Sequence, residues 1–202
     1  CDNCIRVCPY FASPKVRRMS AEEVWREIED NMPFIQGITV SGGECTLYPE
    51  FLTELYRKAG KAGLTCFSDS NGCVDLSEYP ELMAVTDQVM LDVKAWDYEV
   101  FKRLTGGDGS VVKKNLIYLA EQKKLYEVRL VCLDGETDME AVIAGVADAA
   151  APYLKEFRLK LITFRKYGVR GRLEKRNSPP PERMEELRNL AVRCGFQEIQ
   201  VV

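Results

Sequence analysis

Apolar residues recur along this chain at two alternating periods. Ala21, Val24, Trp25 and Ile28 lie on one helical face behind Ser20-Ala21-Glu22-Glu23, a capping box that starts a helix. Residues 37–41 then form a short apolar strand running into a glycine turn. Pro49 opens a second helix with Phe51, Leu52, Leu55, Tyr56 and Ala59 inward, closed by Gly60 or Gly63. Residues 64–68 read as a strand ending at Asp69, followed by a short helix over 80–84 and a strand over 88–93. Two helices follow, one over 98–104 and one capped by Ser110 and reaching about Gln122. Residues 127–132 are a strand, and Thr137-Asp138-Met139-Glu140 is a second capping box whose helix runs to Ala150. A strand over 157–163, a helix opened by prolines 179–181 and closed at Gly195, and a strand over 197–202 complete the pattern. Strict alternation predicts an α/β fold, a parallel sheet with helices outside it, open or curled into a barrel. No internal repeat, low-complexity stretch or linker is read, so the alternating part is one unit.

With 202 residues, 46% of them hydrophobic, the chain is long enough for a sizeable single core. Its 28 basic and 31 acidic residues are interspersed and leave a net charge of −3, which argues against a nucleic-acid-binding surface. No apolar run approaches the roughly 20 residues of a membrane span. Histidine is absent, which removes Ser-His-Asp hydrolysis, Cys-His chemistry and every His-ligated metal site. Eight cysteines without an apolar leader suggest a reduced, cytoplasmic protein rather than a disulfide framework. Cys45, Cys66, Cys73, Cys132 and Cys194 are scattered and read as small buried hydrophobes.

In a parallel α/β sheet the ligand sits beyond the carboxyl ends of the strands. Polar groups gather there: Ser41-Gly42-Gly43-Glu44, Asp69-Ser70-Asn71-Gly72, Asp92 with Lys94, Arg129, and Thr163-Phe164-Arg165. Singly, each has an ordinary explanation as a turn or surface ion pair. Five successive strands placing them at one rim favours a site. Gly42 and Gly43 let the backbone approach a ligand, and with Glu44 they suit an ammonium group. Lys94 and Arg129 suit a carboxylate, and Asp69 or Asp92 suits the hydroxyls of a ribose. An amino acid joined to a nucleoside satisfies all of these, as S-adenosylmethionine does.

Cys1, Cys4 and Cys8 stand in C-x-x-C-x-x-x-C-P, the last three cysteines of a bacterial ferredoxin run. A zinc site would need a second ligand pair that the sequence lacks. Together with Ile38–Glu44, Asp69-Ser70-Asn71-Gly72, Met90-Leu91-Asp92-Val93-Lys94-Ala95-Trp96 and Leu104-Thr105-Gly106, this run resembles the glycyl-radical-enzyme activases of the pyruvate formate-lyase activating type. These are radical S-adenosylmethionine enzymes, and the chain is most similar to the YjjW-type branch with its ferredoxin-like insert.

That resemblance implies a partial, TIM-like (β/α) barrel lacking its first strand. Residues 1–12 would be a remnant of the iron-sulfur insert and 13–202 the barrel. It implies that Gly42, Gly43 and Glu44 hold the methionine amino group, and that Asp69, Asn71, Asp92, Lys94, Arg129 and Arg165 supply further cofactor contacts. Arg165 stands where the family often has histidine. It offers Asp69, Ser70, Met90 and Asp92 as ligands of a monovalent cation. The cofactors implied are S-adenosylmethionine and 4Fe–4S clusters. The partners implied are a glycyl radical enzyme presenting a glycine loop and a flavodoxin- or ferredoxin-type electron donor, with no nucleic acid and no membrane. The basic residues Arg165, Lys166, Arg170, Arg172, Lys175 and Arg176 lie beside the rim, where they read as a solvated loop or an aid to docking. The family's C-x-x-x-C-x-x-C cluster loop is not among these residues, and Cys1, Cys4 and Cys8 complete no cluster, so the chain as given is expected not to turn over. Two alternatives stay open: a barrel aldolase using Lys94 as a Schiff base, and a non-enzymatic iron-sulfur electron carrier.

Overall fold

The computed structural model describes residues 17–202. The expected iron-sulfur remnant, its expected boundary at residues 12 and 13, and Cys1, Cys4 and Cys8 therefore lie outside the described residues. Six strands form one parallel sheet in sequential order: β1 (Gly37–Val40), β2 (Thr65–Ser70), β3 (Gln88–Asp92), β4 (Leu125–Cys132), β5 (Arg158–Thr163) and β6 (Ile199–Val201). The helices between them are α1 (Ala21–Glu29), α2 (Pro49–Lys61), α3 (Pro80–Val85), α4 (Tyr98–Thr105), α5 (Ser110–Glu121), α6 (Met139–Ala149) and α7 (Pro181–Arg193). β1 and β6 do not pair with one another, so the sheet is a partial (β/α) barrel as expected.

Alternate strand residues divide the molecule into two faces. Val89 and Leu91, Val128, Leu130 and Cys132, and Leu159 and Leu161 are buried in one apolar cluster with α5, α6 and α7. Cys66, with Leu52, Leu55, Tyr56 and Trp25 of α2 and α1, forms a second cluster behind β1 and β2. Burying each such side chain contributes on the order of 2 kcal/mol. The intervening positions, Asp69, Met90, Asp92 and Arg129, carry the opposite face. Register fixes their neighbours: Asp69 pairs with Met90, Asp92 with Arg129, and Arg129 with Lys160.

Local signals settle most boundaries. The Ser20 capping box forms as read, with the Glu23 amide donating to Ser20 Oγ at 3.2 Å and the Ser20 amide to Glu23 Oε2 at 2.7 Å. The second expected box does not. The Asp138 side chain makes no cap, because its carboxylate accepts the backbone N–H groups of Trp96 and Asp97 at 2.7–3.1 Å, and Thr137 Oγ1 bonds to Leu133 instead. That long-range tie fixes the loop after Lys94. Ser110 is the first residue of α5 rather than its cap, and Asp108 accepts its amide at 2.9 Å.

A short repeated unit also emerges. Glu44-Cys45-Thr46-Leu47-Tyr48-Pro49-Glu50 follows β1, and Asp75-Leu76-Ser77-Glu78-Tyr79-Pro80-Glu81 follows β2. In both, the leading carboxylate accepts the amide and the hydroxyl of the residue two positions on. One 3₁₀ turn follows, then a tyrosine at φ near −120°, then proline at the first helical position.

Candidate functional site

The polar groups read from the strand ends converge. Arg129 is their centre: from β4 its guanidinium reaches past β3, donating through Nη1 to Asp69 Oδ2 at 3.0 Å, through Nη2 to Asp69 Oδ1, and through Nε to Asp92 Oδ1 at 2.7 Å. Lys94 Nζ donates to Asp92 Oδ2 at 2.6 Å, and Ser41 Oγ to Asp69 Oδ2 at 3.1 Å. Two carboxylates and two cations thus form a neutral cluster linking β1 to β4. Burial disfavours the Arg129 charge, but hydrogen bonding to Asp69 and the charges of Asp92 and Asp69 outweigh it and raise its pKa above its usual value.

Glu44 does a different task from its neighbours. It is 7% exposed, and Oε1 accepts the Thr46 amide at 3.1 Å, the Thr46 hydroxyl at 2.6 Å and the Ser70 hydroxyl at 2.9 Å. Oε2 accepts the Asn71 amide at 2.6 Å. The carboxylate therefore locks the β1 loop to the end of β2. Gly42 and Gly43, at φ +95° and +49°, adopt backbone that favours glycine, and a Cβ on either would meet nothing within 4 Å. They help line an open cleft of about 340 Å³ with Ser41, Glu44 and Tyr48. Asn71 contributes its amide to Glu44 and its side-chain oxygen to the Cys73 amide at 2.9 Å.

Across the same rim, Arg165 is exposed and lines an open cleft of about 510 Å³ with Val131, Lys160, Ile162, Phe164 and Val202. It makes no ion pair among the described residues. Of the four residues offered for a monovalent cation, Asp69 and Met90 pair across β2 and β3. Ser70 directs its hydroxyl to Glu44, while the Arg129 guanidinium bridges Asp69 and Asp92. No group of three or more Cys, Asp or Glu suited to a metal occurs among the described residues. A further cleft, of about 410 Å³ between α2 and α3, lies in the helix layer rather than at the strand ends.

Sequence reasoning missed Thr46 and the structural duty of Ser70, and it misplaced Cys73. That residue is exposed, whereas Cys45, Cys66 and Cys132 are buried as read and Cys194 is half-buried. Burial, with the charges of Glu44 and Asp69 nearby, pushes the Cys45 thiol up to about 11. Thiols react as thiolates. Brief iodoacetamide treatment of native protein at neutral pH is expected to alkylate Cys73 well ahead of Cys45, Cys66 and Cys132. Peptide mass spectrometry reads the order, and equal labelling of Cys45 would show that the mouth is open where the structure has it packed.

The residues fit S-adenosylmethionine by the chemistry of the donor set: carboxylates for hydroxyls and ammonium, Lys94 with donors to spare, and an open cradle over two glycines. Comparison with known proteins agrees with the geometry. The model of the Radical SAM superfamily matches residues 2–144. A Haemophilus influenzae protein assigned as a glycyl-radical enzyme activating enzyme is 28% identical over 224 aligned positions, covering 100% of this chain and 84% of that protein. The (2S)-3-sulfopropanediol dehydratase activating enzyme of Klebsiella oxytoca is 29% identical over 83% of this chain, which spans only 56% of that enzyme. The fold is similar to a crystal structure of a domain of pyruvate-formate lyase-activating enzyme from Bacteroides vulgatus. The TM-score is 0.69 at 21% identity, over 82% of this chain and 98% of that one.

Proposed function

The chain belongs to the radical SAM superfamily, whose members use S-adenosylmethionine and a 4Fe–4S cluster, and on that premise we propose that it is the barrel portion of a glycyl-radical-enzyme activating enzyme, whose turnover requires the C-x-x-x-C-x-x-C cluster loop that is not among these residues. The observation that carries the reading is the meeting of Asp69, Asp92, Lys94 and Arg129 at the strand ends, beside a glycine cradle. Gly42, Gly43, Glu44, Asp69, Asp92 and Lys94 would hold S-adenosylmethionine, for whose reductive cleavage a bound 4Fe–4S cluster would supply the electron, in service of hydrogen abstraction from a glycine of the partner enzyme.

The chain's own residues bind and orient. Gly42 and Gly43 offer backbone groups to the methionyl ammonium. Among the described residues Glu44 Oε2 accepts one hydrogen bond, leaving acceptor capacity for another. The repeated unit gives support from within the same chain: there Asp75 Oδ1 takes the local amide and hydroxyl while Oδ2 takes an ammonium, that of Lys114. Lys94, 37% exposed at its side chain, directs spare donors toward the carboxylate. Arg129 holds Asp69 and Asp92 in fixed orientation for the ribose hydroxyls. Arg165 stands at the far side of the mouth for the nucleoside.

The partner is a glycyl radical enzyme, and the electron donor is of the flavodoxin or ferredoxin type. No helix of the described residues is long and apolar enough to cross a membrane, and we place the protein in the cytoplasm. A Schiff-base role for Lys94 fares worse, because that chemistry requires a desolvated amine and Lys94 is partly exposed and bound to Asp92.

Calorimetric titration with S-adenosylmethionine tests the reading. Saturable one-to-one binding is expected, weakened about tenfold or more by Lys94→Met, a loss of about 1.4 kcal/mol. Absence of saturable binding, or binding indifferent to Lys94, would count against it.

A further inference from the structure

The residues after β5 form a basic strap with an unusual attachment. Residues 165–178 carry Arg165, Lys166, Arg170, Arg172, Lys175 and Arg176 against one acid, Glu174, in a chain whose net charge is −3. Within the strap only Val169 and Leu173 are even half-buried. Like charges repel and little apolar surface holds the segment down. One carboxylate does: Glu136, in the loop between β4 and α6, with a side chain 1% exposed. It accepts from Arg172 Nη1 and from Arg176 Nη2 and Nε, the last at 2.8 Å. Arg103 of α4 pins the same loop by donating Nη2 to the Glu136 carbonyl at 2.9 Å. The hydrogen bond from Arg172, working against burial and aided by Arg176, lowers the Glu136 pKa below its ordinary value, so the latch is charged at neutral pH.

The anchoring carboxylate of Glu136 is thus covered by the two arginines it grips, which remain about half exposed at 53% and 47%. Arg165, Lys166, Arg170 and Lys175 are exposed and make no ion pair among the described residues, and Tyr167 stands among them 89% exposed. Solvent therefore meets a preset surface of cations and one aromatic ring, with Glu174 as the segment's one exposed acid; arginine and tyrosine are favoured at the energetic centres of interfaces.

We propose that this strap is the docking surface for an acidic face of a partner protein, and that Glu136 is the positioning residue that sets its shape. The strap begins where β5 ends, so a protein held on it lies beside the mouth and can present a segment there. Holding the loop in place beforehand removes an ordering cost that would otherwise fall on binding, and the uniform charge speeds encounter. The proposal relies on the preceding reading only for the partner's identity as a glycyl radical enzyme. Its test needs no cofactor, so failure to bind S-adenosylmethionine would leave it standing.

The probe is fluorescein-labelled poly-L-glutamate, followed by anisotropy with the whole chain at about 50 and about 300 mM salt, with labelled duplex DNA in parallel. Saturable binding of the polypeptide is expected, weakening about tenfold or more at the higher salt. The combined variant Arg165→Gln, Lys166→Gln, Arg170→Gln, Lys175→Gln alters only exposed side chains and is expected to lose about tenfold in affinity with an unchanged circular dichroism spectrum. Glu136→Gln separates shape from charge. It makes the chain one unit more positive, so diffuse attraction predicts tighter binding, whereas a preset surface predicts binding several-fold weaker with a cooperative melt retained. Equal or tighter binding by Glu136→Gln, full binding by the fourfold variant, or preference for DNA would overturn the proposal. If Glu136→Gln does not melt cooperatively, the fourfold variant decides.

Discussion

Arg129→Leu is expected to destabilise the fold by about 3 kcal/mol or more and to abolish cofactor binding at the mouth. The Arg129 side chain is 16% exposed, and among the described residues its bonds go to Asp69 and Asp92. Leucine would fill similar space but, among the described residues, leave the Asp69 carboxylate with only the Ser41 hydroxyl and that of Asp92 with only Lys94. Removing one partner of a largely buried ion cluster strands charge in a poorly solvated place, and that penalty exceeds the modest net gain the pair supplied. Arg129→Lys should fall between the two, because a single compact ammonium cannot reproduce the three directed N–H bonds that the guanidinium donates to the two carboxylates. Urea unfolding measures the loss. A change of less than about 1 kcal/mol for Arg129→Leu would mean that the cluster is solvated and that the mouth is not organised around it.

The second large effect is at Glu44. Glu44→Ala leaves four donors without their acceptor: the amides of Thr46 and Asn71 and the hydroxyls of Thr46 and Ser70. Unsatisfied buried donors cost about 1–3 kcal/mol each, less where water enters, so a total loss of about 2–4 kcal/mol is expected. Glu44→Gln keeps the shape but turns a donor toward one of these partners, so it should lose about half as much. Hydrogen exchange separates local from global change: the Asn71 amide should exchange faster in Glu44→Ala, while amides of Leu130 and Leu161, deep in the main cluster, should not. Retained protection at Asn71 would show that Glu44 does not lock the two loops.

Much of this was legible in the chain because it is written locally. The Ser20 box, Pro49, and the apolar alternation of β3 and β5 are decided within a few residues, so those elements fall where the pattern put them. The boundaries that moved belong to residues whose partners are distant. β2 extends through Ser70 because its end is paired with β3 and tied to Glu44. Thr137 abandons the cap that its spacing to Glu140 predicts, its hydroxyl bonding Leu133, and Asp138, which takes the cap position, gives its carboxylate to the amides of Trp96 and Asp97 from far along the chain.

Polar residues at strand ends likewise announced where a site lies without announcing their division of labour. Asp92 and Lys94 are two apart and easily read as a pair. That Arg129 spends its donors on both aspartates depends on the register between β2, β3 and β4, which no periodicity reports. The carboxylate–x–hydroxyl–x–Tyr–Pro–Glu unit is a repeat of chemistry rather than of letters, because its glutamate and threonine are replaced by aspartate and serine in the second copy. Glu136 gave no signal at all. A single glutamate in a loop acquires meaning only when the strap folds over it.

The most direct test of the central claim, that these strand ends form one cofactor mouth, is hydrogen–deuterium exchange with and without S-adenosylmethionine. The account predicts new protection confined to residues 41–46, 69–73, 92–96 and the start of the strap at 163–166. Protection confined to the helix layer, or to the opposite ends of the strands near Thr65 and Gln88, would contradict it.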